Sequence, residues 1–144
     1  MSDFKVIDHT QEFNRKLQEA IEIGMEAVGI QAEGEAKDEL ENDPRHIDTG
    51  HLRNSITHKV EVDGNEISAI IGTNLSYAVY VHEGTGKYKE GGGGRKEPWV
   101  YKDDLGKWHV TSGMKPNRFL RNAMQHNEKE LVEILEREIK KRMQ

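Results

Sequence analysis

The 144-residue sequence contains no cysteine, which excludes disulfides, thiolate metal sites and cysteine nucleophiles and suits a reducing cytoplasm. No apolar run approaches the roughly 20 residues needed to span a bilayer. The opening residues, MSDFKVIDHTQEF, lack the basic flank and apolar stretch of a secretory leader, so the expectation is a protein made and kept in the cytoplasm. Basic excess is missing as well: the formal net charge is -5 and the pI about 5.8. Duplex-DNA binders draw affinity from neutralised phosphates and usually show a basic face. Overall acidity counts against that class and confines any DNA contact to a local patch. Apolar residues are scarce too, at 34% hydrophobic against 33% charged, with a mean hydropathy of -0.85. A chain of this size can bury roughly two-thirds of its unfolded surface. With so few apolar residues the core must be lean, which suits an elongated subunit or one completed by copies of itself.

What is present is patterned. Residues 10–42 read as one long amphipathic helix with Thr10 as N-cap and Phe13, Leu17, Ile21, Met25 and Val28 at three- and four-residue spacing. Gly24, Gly29 and Gly34 each cost about 1 kcal/mol in a helix, so they are expected to admit a close neighbour or a bend. Asn42, Asp43 and Pro44 end the helix. Residues 45–52 read as a connector and 55–62 as a strand carrying Ile56, Val60 and Val62. Asp63 and Gly64 turn the chain into a return strand over 66–73. For 75–82, LSYAVYVH, periodicity leaves strand and short helix both open. The glycine-rich stretch at about 84–97 reads as a mobile loop. Trp99, Val100 and Tyr101 then face Trp108, His109 and Val110 in a second hairpin. Gly113 and Pro116 introduce a second long helix, carrying Phe119, Leu120, Ala123 and Leu131 and running to about Arg142. Its polar face offers Glu133–Arg137, Glu136–Lys140 and Glu138–Arg142 as i,i+4 pairs. The expected fold is a single α+β domain over 1–144, an antiparallel sheet of four to five strands flanked by a long N-terminal and a long C-terminal helix.

Chemistry-bearing motifs are weak. His46, His51 and His58 cluster, but His46 and His51 stand five apart in a connector, so the helical spacing of a HExxH site is absent; exposed histidines are the favoured reading over a metal site with Asp48 and Glu83. The glycine run at 91–94 followed by Arg95 and Lys96 has part of a phosphate-cradling pattern, yet Glu97, Pro98 and a hairpin follow where a helix is required. Lys87, Lys89, Arg95 and Lys96 make the loop locally basic and are the candidate DNA-facing residues. Trp99, Tyr101 and Trp108 could stack on single-stranded bases, though cross-strand pairing within the hairpin explains them more simply. No triad, nucleophile elbow or paired acid appears. The residues point to no catalysis, no cofactor and no metal.

Four stretches carry a resemblance: DTGHLRNSI (48–56), IGTNLSYAVYVHEGTG (71–86), WVYKDDLGKWHV (99–110) and GMKPNRFLRNAM (113–124). Together, over roughly residues 10–140, the chain resembles the family of small bacteriophage proteins related to the lambdoid minor tail component that completes the tail at its head-proximal end. The family's motif residues fall on Asp48, Thr49, Gly50, Leu52, Tyr77, Gly84, Gly86, Pro116, Phe119 and Leu120. Structural roles suit them. Asp48 can accept backbone amides at a turn and Gly50 can supply a positive φ. Leu52 and Ile56 can anchor the first strand, Gly84 and Gly86 can bend the chain, and Pro116 suits a first helical turn ahead of buried Phe119 and Leu120. The resemblance implies a head–tail joining or tail-completion subunit of the virion neck, assembled in the bacterial cytoplasm as a ring, with sixfold symmetry suggested by similar proteins. The ring would dock onto the connector and neighbouring tail-terminator or tail-tube proteins, leave a channel for genomic DNA and have no dealings with a membrane. The reading from a different class is a nucleic-acid-binding regulator that uses the basic glycine-rich loop.

Overall fold

The computed structural model describes residues 5–44 and 49–144. His46 and Asp48 lie outside the described residues. The chain runs α1 (Thr10–Glu41), α2 (Thr49–Ser55), β1 (Thr57–Asp63), β2 (Glu66–Gly72), α3 (Ala78–Glu83), a 3₁₀ turn (Gly86–Tyr88), β3 (Trp99–Lys102), β4 (Trp108–Thr111), α4 (Phe119–His126) and α5 (Glu128–Met143). It packs as two compact units, one from the described residues of Met1–Gln31, His58–Ile70 and Glu128–Gln144, the other from those of Ala32–Thr57 and Ile71–Asn127.

α1 begins where the periodicity places it, but its cap differs. The His9 carbonyl already accepts the Phe13 amide at 2.9 Å, so Thr10 stands inside the first turn. The free Thr10 amide is covered instead by the Asp8 carboxylate at 2.9 Å, which also accepts the Thr10 hydroxyl. These two bonds, hydroxyl first, hold the Asp8 carboxyl below its ordinary value.

In the first unit, two helix glycines are explained by what lies against them. A side chain at Gly24 would begin 2.8 Å from Leu135 Cδ1 of α5, and one at Gly29 would begin 2.6 Å from the His58 ring of β1. The bare helix surface therefore seats a leucine and a histidine, and His58 Nε2 reaches Glu26 at 2.6 Å. Gly34 has nothing within 4 Å of such a position. β1 and β2 form a two-stranded antiparallel hairpin, turned by Gly64 at φ 59° and Asn65. Ala20, Val28 and Leu131 are buried in this unit, while Phe13, Ile23, Ile30, Val62, Ile70 and Val132 stay exposed. Of the i,i+4 pairs expected on α5, Glu138–Arg142 forms, at 3.6 Å.

The second unit holds the denser core. Ala36 and Leu40 from the end of α1, Leu52 from α2, Ile56 just beyond it, Ala78 and Val81 from α3, and Phe119 and Ala123 from α4 form one cluster. Arg53 pairs with Glu41 at 2.7 Å, tying α2 to the end of α1. Ser55 donates to the Leu52 carbonyl at 2.6 Å and meets Thr73 Oγ1 at 2.6 Å.

Several of these expectations are corrected, and one open alternative is resolved. The sheet of four to five strands is replaced by two separate hairpins, β1–β2 and β3–β4. The segment 75–82, open between strand and short helix, is helical from Ala78, where α3 begins: Leu75, Ala78 and Val81 recur at three-residue steps and turn toward the core, Leu75 partly buried. Residues 45–52 are not wholly a connector: Thr49 opens α2, so Gly50 is helical and absent from the positive-φ glycines. Leu52 and Ile56 reach the core from that helix and its exit, rather than from a strand. The single C-terminal helix is divided at Asn127, whose φ of -116° and ψ of 12° leave the helical region. Its side-chain amide donates to the Ala123 carbonyl at 3.0 Å, closing α4 with a side-chain bond.

Phe119 is fully buried and the largest such side chain. Phe119→Ala is therefore expected to cost about 3–5 kcal/mol, read as a lowered midpoint in urea unfolding followed by circular dichroism. A cost below about 1 kcal/mol would show that this core does not hold the second unit together.

Candidate functional site: a glycine-lined crossing and an exposed hairpin

The motif residues of the second unit meet where two stretches of main chain cross. α3 ends at Gly84, with φ 81° and its amide on the Tyr80 carbonyl. The chain then runs against residues 112–116. Thr85 N–H donates to the Met114 carbonyl at 2.9 Å and Lys87 N–H to the Ser112 carbonyl at 3.1 Å, while Met114 N–H returns a bond to Thr85 Oγ1 at 2.9 Å. The approach leaves no room for side chains. A Cβ at Gly86 would fall 2.1 Å from the Ser112 oxygen, one at Gly113 2.1 Å from the Thr85 oxygen, and one at Gly94 2.0 Å from the Gly86 oxygen. Gly86 and Gly113 also hold φ values of 61° and 119°, which favour glycine.

From this crossing the chain is led into the core. Pro116 lies against Gly84, and Asn117 N–H donates to the Val81 carbonyl at 2.9 Å. The Asn117 side chain donates to buried Asp43 at 2.9 Å and approaches the Glu39 carbonyl at 3.4 Å; Phe119 follows. The structure thus brings Gly84, Gly86, Pro116, Phe119 and Leu120 together, with Leu52 in the same core. Thr49 and Gly50 sit on α2. Tyr77 precedes α3, where its carbonyl accepts the Tyr80 and Val81 amides. Gly94 and Asn117 were not singled out by the sequence reading. Gly94 is hidden in a run of four glycines, and Asn117 acts through contacts distant in sequence.

The first half of the glycine-rich loop is anchored electrostatically. Glu90 N–H donates to the Glu83 carbonyl at 2.8 Å. Its carboxylate takes a two-pronged bond from Arg121, at 2.7 and 3.3 Å, and lies 3.2 Å from Arg118 Nε. Arg121 first, and Arg118 second, hold the Glu90 carboxyl below its ordinary value. His82 lies edge-on to Phe119 at 5.4 Å, and burial, then the Arg121 charge, push its pKa down. A neutral ring suits its Nε2, which the Arg121 amide approaches at 3.4 Å. His82, Glu83, Thr73, Ser76 and Phe119 line an open pocket of about 360 Å³. Among the described residues neither Thr73 nor Ser76 is hydrogen-bonded to His82, and no group of three His, Asp or Glu side chains could hold a metal ion. No described helix is long and apolar enough to cross a membrane.

The candidate DNA-facing residues Lys87, Lys89, Arg95 and Lys96 are all exposed. Lys87 and Lys115 both reach over the Tyr88 ring, at 5.0 and 5.8 Å, and Arg95 lies over Trp99 at 5.7 Å. Charge is segregated along the chain: residues 84–121 hold nine Lys and Arg against four Asp and Glu, net +5, leaving twelve against twenty-two, net -10, elsewhere.

β3 and β4 pair antiparallel with Trp99 opposite Thr111, Val100 opposite Val110, Tyr101 opposite His109 and Lys102 opposite Trp108. The expected aromatic pairing across the hairpin is therefore corrected. Trp99 and Tyr101 share one face and Trp108 takes the other, because strand side chains alternate. Tyr101 stacks on His109 at 5.2 Å, and Lys102 lies 5.8 Å from the Trp108 ring. Asp103 organises the turn: its carboxylate accepts the Leu105 and Lys107 amides at 2.9 and 2.8 Å and meets His109 Nε2 at 2.7 Å. Together, His109 foremost, these contacts lower its pKa. The outer face is left bare, with Trp108 65% and Val110 74% exposed.

Two outcomes follow. Gly86→Ala, which forces a Cβ into the Ser112 carbonyl at a positive φ, is expected to cost at least about 1–3 kcal/mol, seen as a lower thermal midpoint. Because the folded Glu90 pKa is depressed, its stabilisation is full above its ordinary value of 4.5 and is lost as the pH falls through the folded value. Glu90→Gln should therefore melt below the native chain at pH 7, with the two midpoints converging as the pH falls below the folded value; equal midpoints at pH 7 would show that the clamp contributes nothing.

A family model described as "Bacteriophage HK97-gp10, putative tail-component" matches residues 4–84. That is 81 of the 144 residues and takes in α1, α2, the first hairpin and α3; the second hairpin, α4 and α5 lie beyond it. No curated protein and no solved structure matches the chain. The chain belongs to the HK97 gp10-like family of bacteriophage tail components.

Proposed function

We propose that the chain is a non-catalytic ring subunit of the virion neck, joining the tail to the head connector and leaving a channel for DNA. Family membership gives the coarser part, a structural role in the phage tail. The finer part is supported chiefly by the distribution of apolar surface. The first unit leaves Phe13, Ile23, Ile30 and Val132 exposed, and the second leaves Val100, Trp108 and Val110 exposed. Scattered exposed apolar residues are ordinary, but recurrent large ones on regular elements mark surfaces that a neighbour covers. Copies of the chain, and the adjacent connector, tail-terminator or tail-tube proteins, are the proposed covering partners.

The net +5 of residues 84–121 favours a second reading, direct nucleic-acid binding by the basic loop. The division of Trp99 and Trp108 between opposite faces weakens a stacking platform. In the ring reading the same charge faces channel DNA.

Light scattering on the purified chain, with co-sedimentation on tails that lack this protein, tests the proposal. The expected result is a defined oligomer, alone or formed on the tail end. A chain that stays monomeric and fails to bind such tails would overturn it. Salt-sensitive duplex binding by a monomer, abolished when Lys87, Lys89, Arg95 and Lys96 become Ala, would install the second reading in its place.

A further inference from the structure

We infer that the outer face of the β3–β4 hairpin of one copy docks on an exposed face of α1 of the next copy, forming the repeating contact of the ring; the inference rests on the ring reading and names its mating surfaces. The hairpin face carries Val100 opposite Val110 and, at the turn end, Lys102 opposite Trp108, and all four side chains are exposed. Asp103 accepts two amides of the turn and so sets the register in which the strands present this face. Both strands are edges of a two-stranded sheet, and such an uncovered ribbon is marginal until something packs on it.

The complementary face lies on α1. Ile23 and Ile30 stand seven residues apart, and seven residues is nearly two helical turns, so both point the same way. They are exposed. Glu19 and Glu26 each precede one of them by four residues, with Glu12 continuing the row; all three glutamates keep more than half of their side-chain surface in solvent. Each glutamate also meets a basic side chain of its own chain, Glu12 with His9, Glu19 with Arg15 and Glu26 with His58, yet an apolar pair lined by exposed carboxylates still answers an apolar face with a lysine at its turn end. The charge of the wider segments runs the same way: residues 84–121 are net +5, while α1 holds nine acidic against three basic residues, net -6. A second copy supplies both halves of this match. The two surfaces differ, so the contact is head-to-tail, the type that closes into rings.

Two single substitutions on opposite sides test it in the full-length chain: Val110→Asp on the hairpin and Ile30→Asp on α1. Both residues are exposed, and unchanged circular dichroism and melting confirm folding. Mass is read by light scattering or analytical ultracentrifugation at matched concentration. Each variant alone should lose the native oligomer and run as a monomer. An equimolar mixture should give a 1:1 dimer and nothing larger, because each pair then has one intact junction and no continuation. Either variant assembling like the native chain, or a mixture that stays monomeric while the native chain assembles, overturns this pairing and leaves the ring reading standing. A native chain that never assembles, free or on tails, overturns both.

Discussion

Main chain laid directly on main chain, with glycine at Gly86, Gly94 and Gly113 because nothing larger fits, is the constraint on which the second unit depends. Thr85 and Met114 exchange bonds across it. That register sets Pro116 against Gly84 and delivers Asn117 to the Val81 carbonyl and to Asp43 at the end of α1. Phe119 can then enter the core from the next turn of chain. Glu90, held by Arg121 and Arg118, ties the glycine-rich stretch to the start of α4. Four segments far apart in sequence, from α1, α3, the glycine-rich stretch and α4, are coupled through a few bonds and the space that absent side chains vacate.

The first unit is built on a different balance. Its neighbours meet α1 at glycine, with Leu135 of α5 over Gly24 and His58 of β1 over Gly29, and it buries few large side chains. Close approach gives good dispersion contact but little transfer free energy, since a glycine contributes almost no apolar area. Large apolar groups meanwhile remain in solvent on α1, α5 and the first hairpin. The proposed assembly would account for this: area left unburied in one chain would be available to neighbours, and charge of opposite sign on different segments would select which surfaces meet.

The parts legible in the sequence were those set by local chemistry. α1 appears in its hydrophobic stripe and ends where Asn42, Asp43 and Pro44 require, both hairpins announce themselves through their turns, and the start of α4 follows Pro116. The DTG, EGTG and GMKP segments point to a phage tail family, and the family match agrees. What was missed was set by contacts across long sequence distance or by single side chains. Gly94 is indistinguishable from its neighbouring loop glycines until the Gly86 carbonyl is seen against it. Asn127 is an ordinary helix-surface residue until its amide takes the Ala123 carbonyl and divides the C-terminal helix. LSYAVYVH is apolar enough for a strand, and only the burial of Ala78 and Val81 beside Phe119 decides for helix. The four-to-five-stranded sheet failed for that reason, together with the placement of the two hairpins in different units.

The central claim is that this chain is completed by copies of itself around an open channel. Electron cryo-microscopy of the purified assembly, or of the neck of the intact particle, examines it most directly. The account requires a closed ring of identical subunits surrounding a central opening. Open fibres, a two-fold dimer without a channel, or a position away from the head-proximal end of the tail would contradict it.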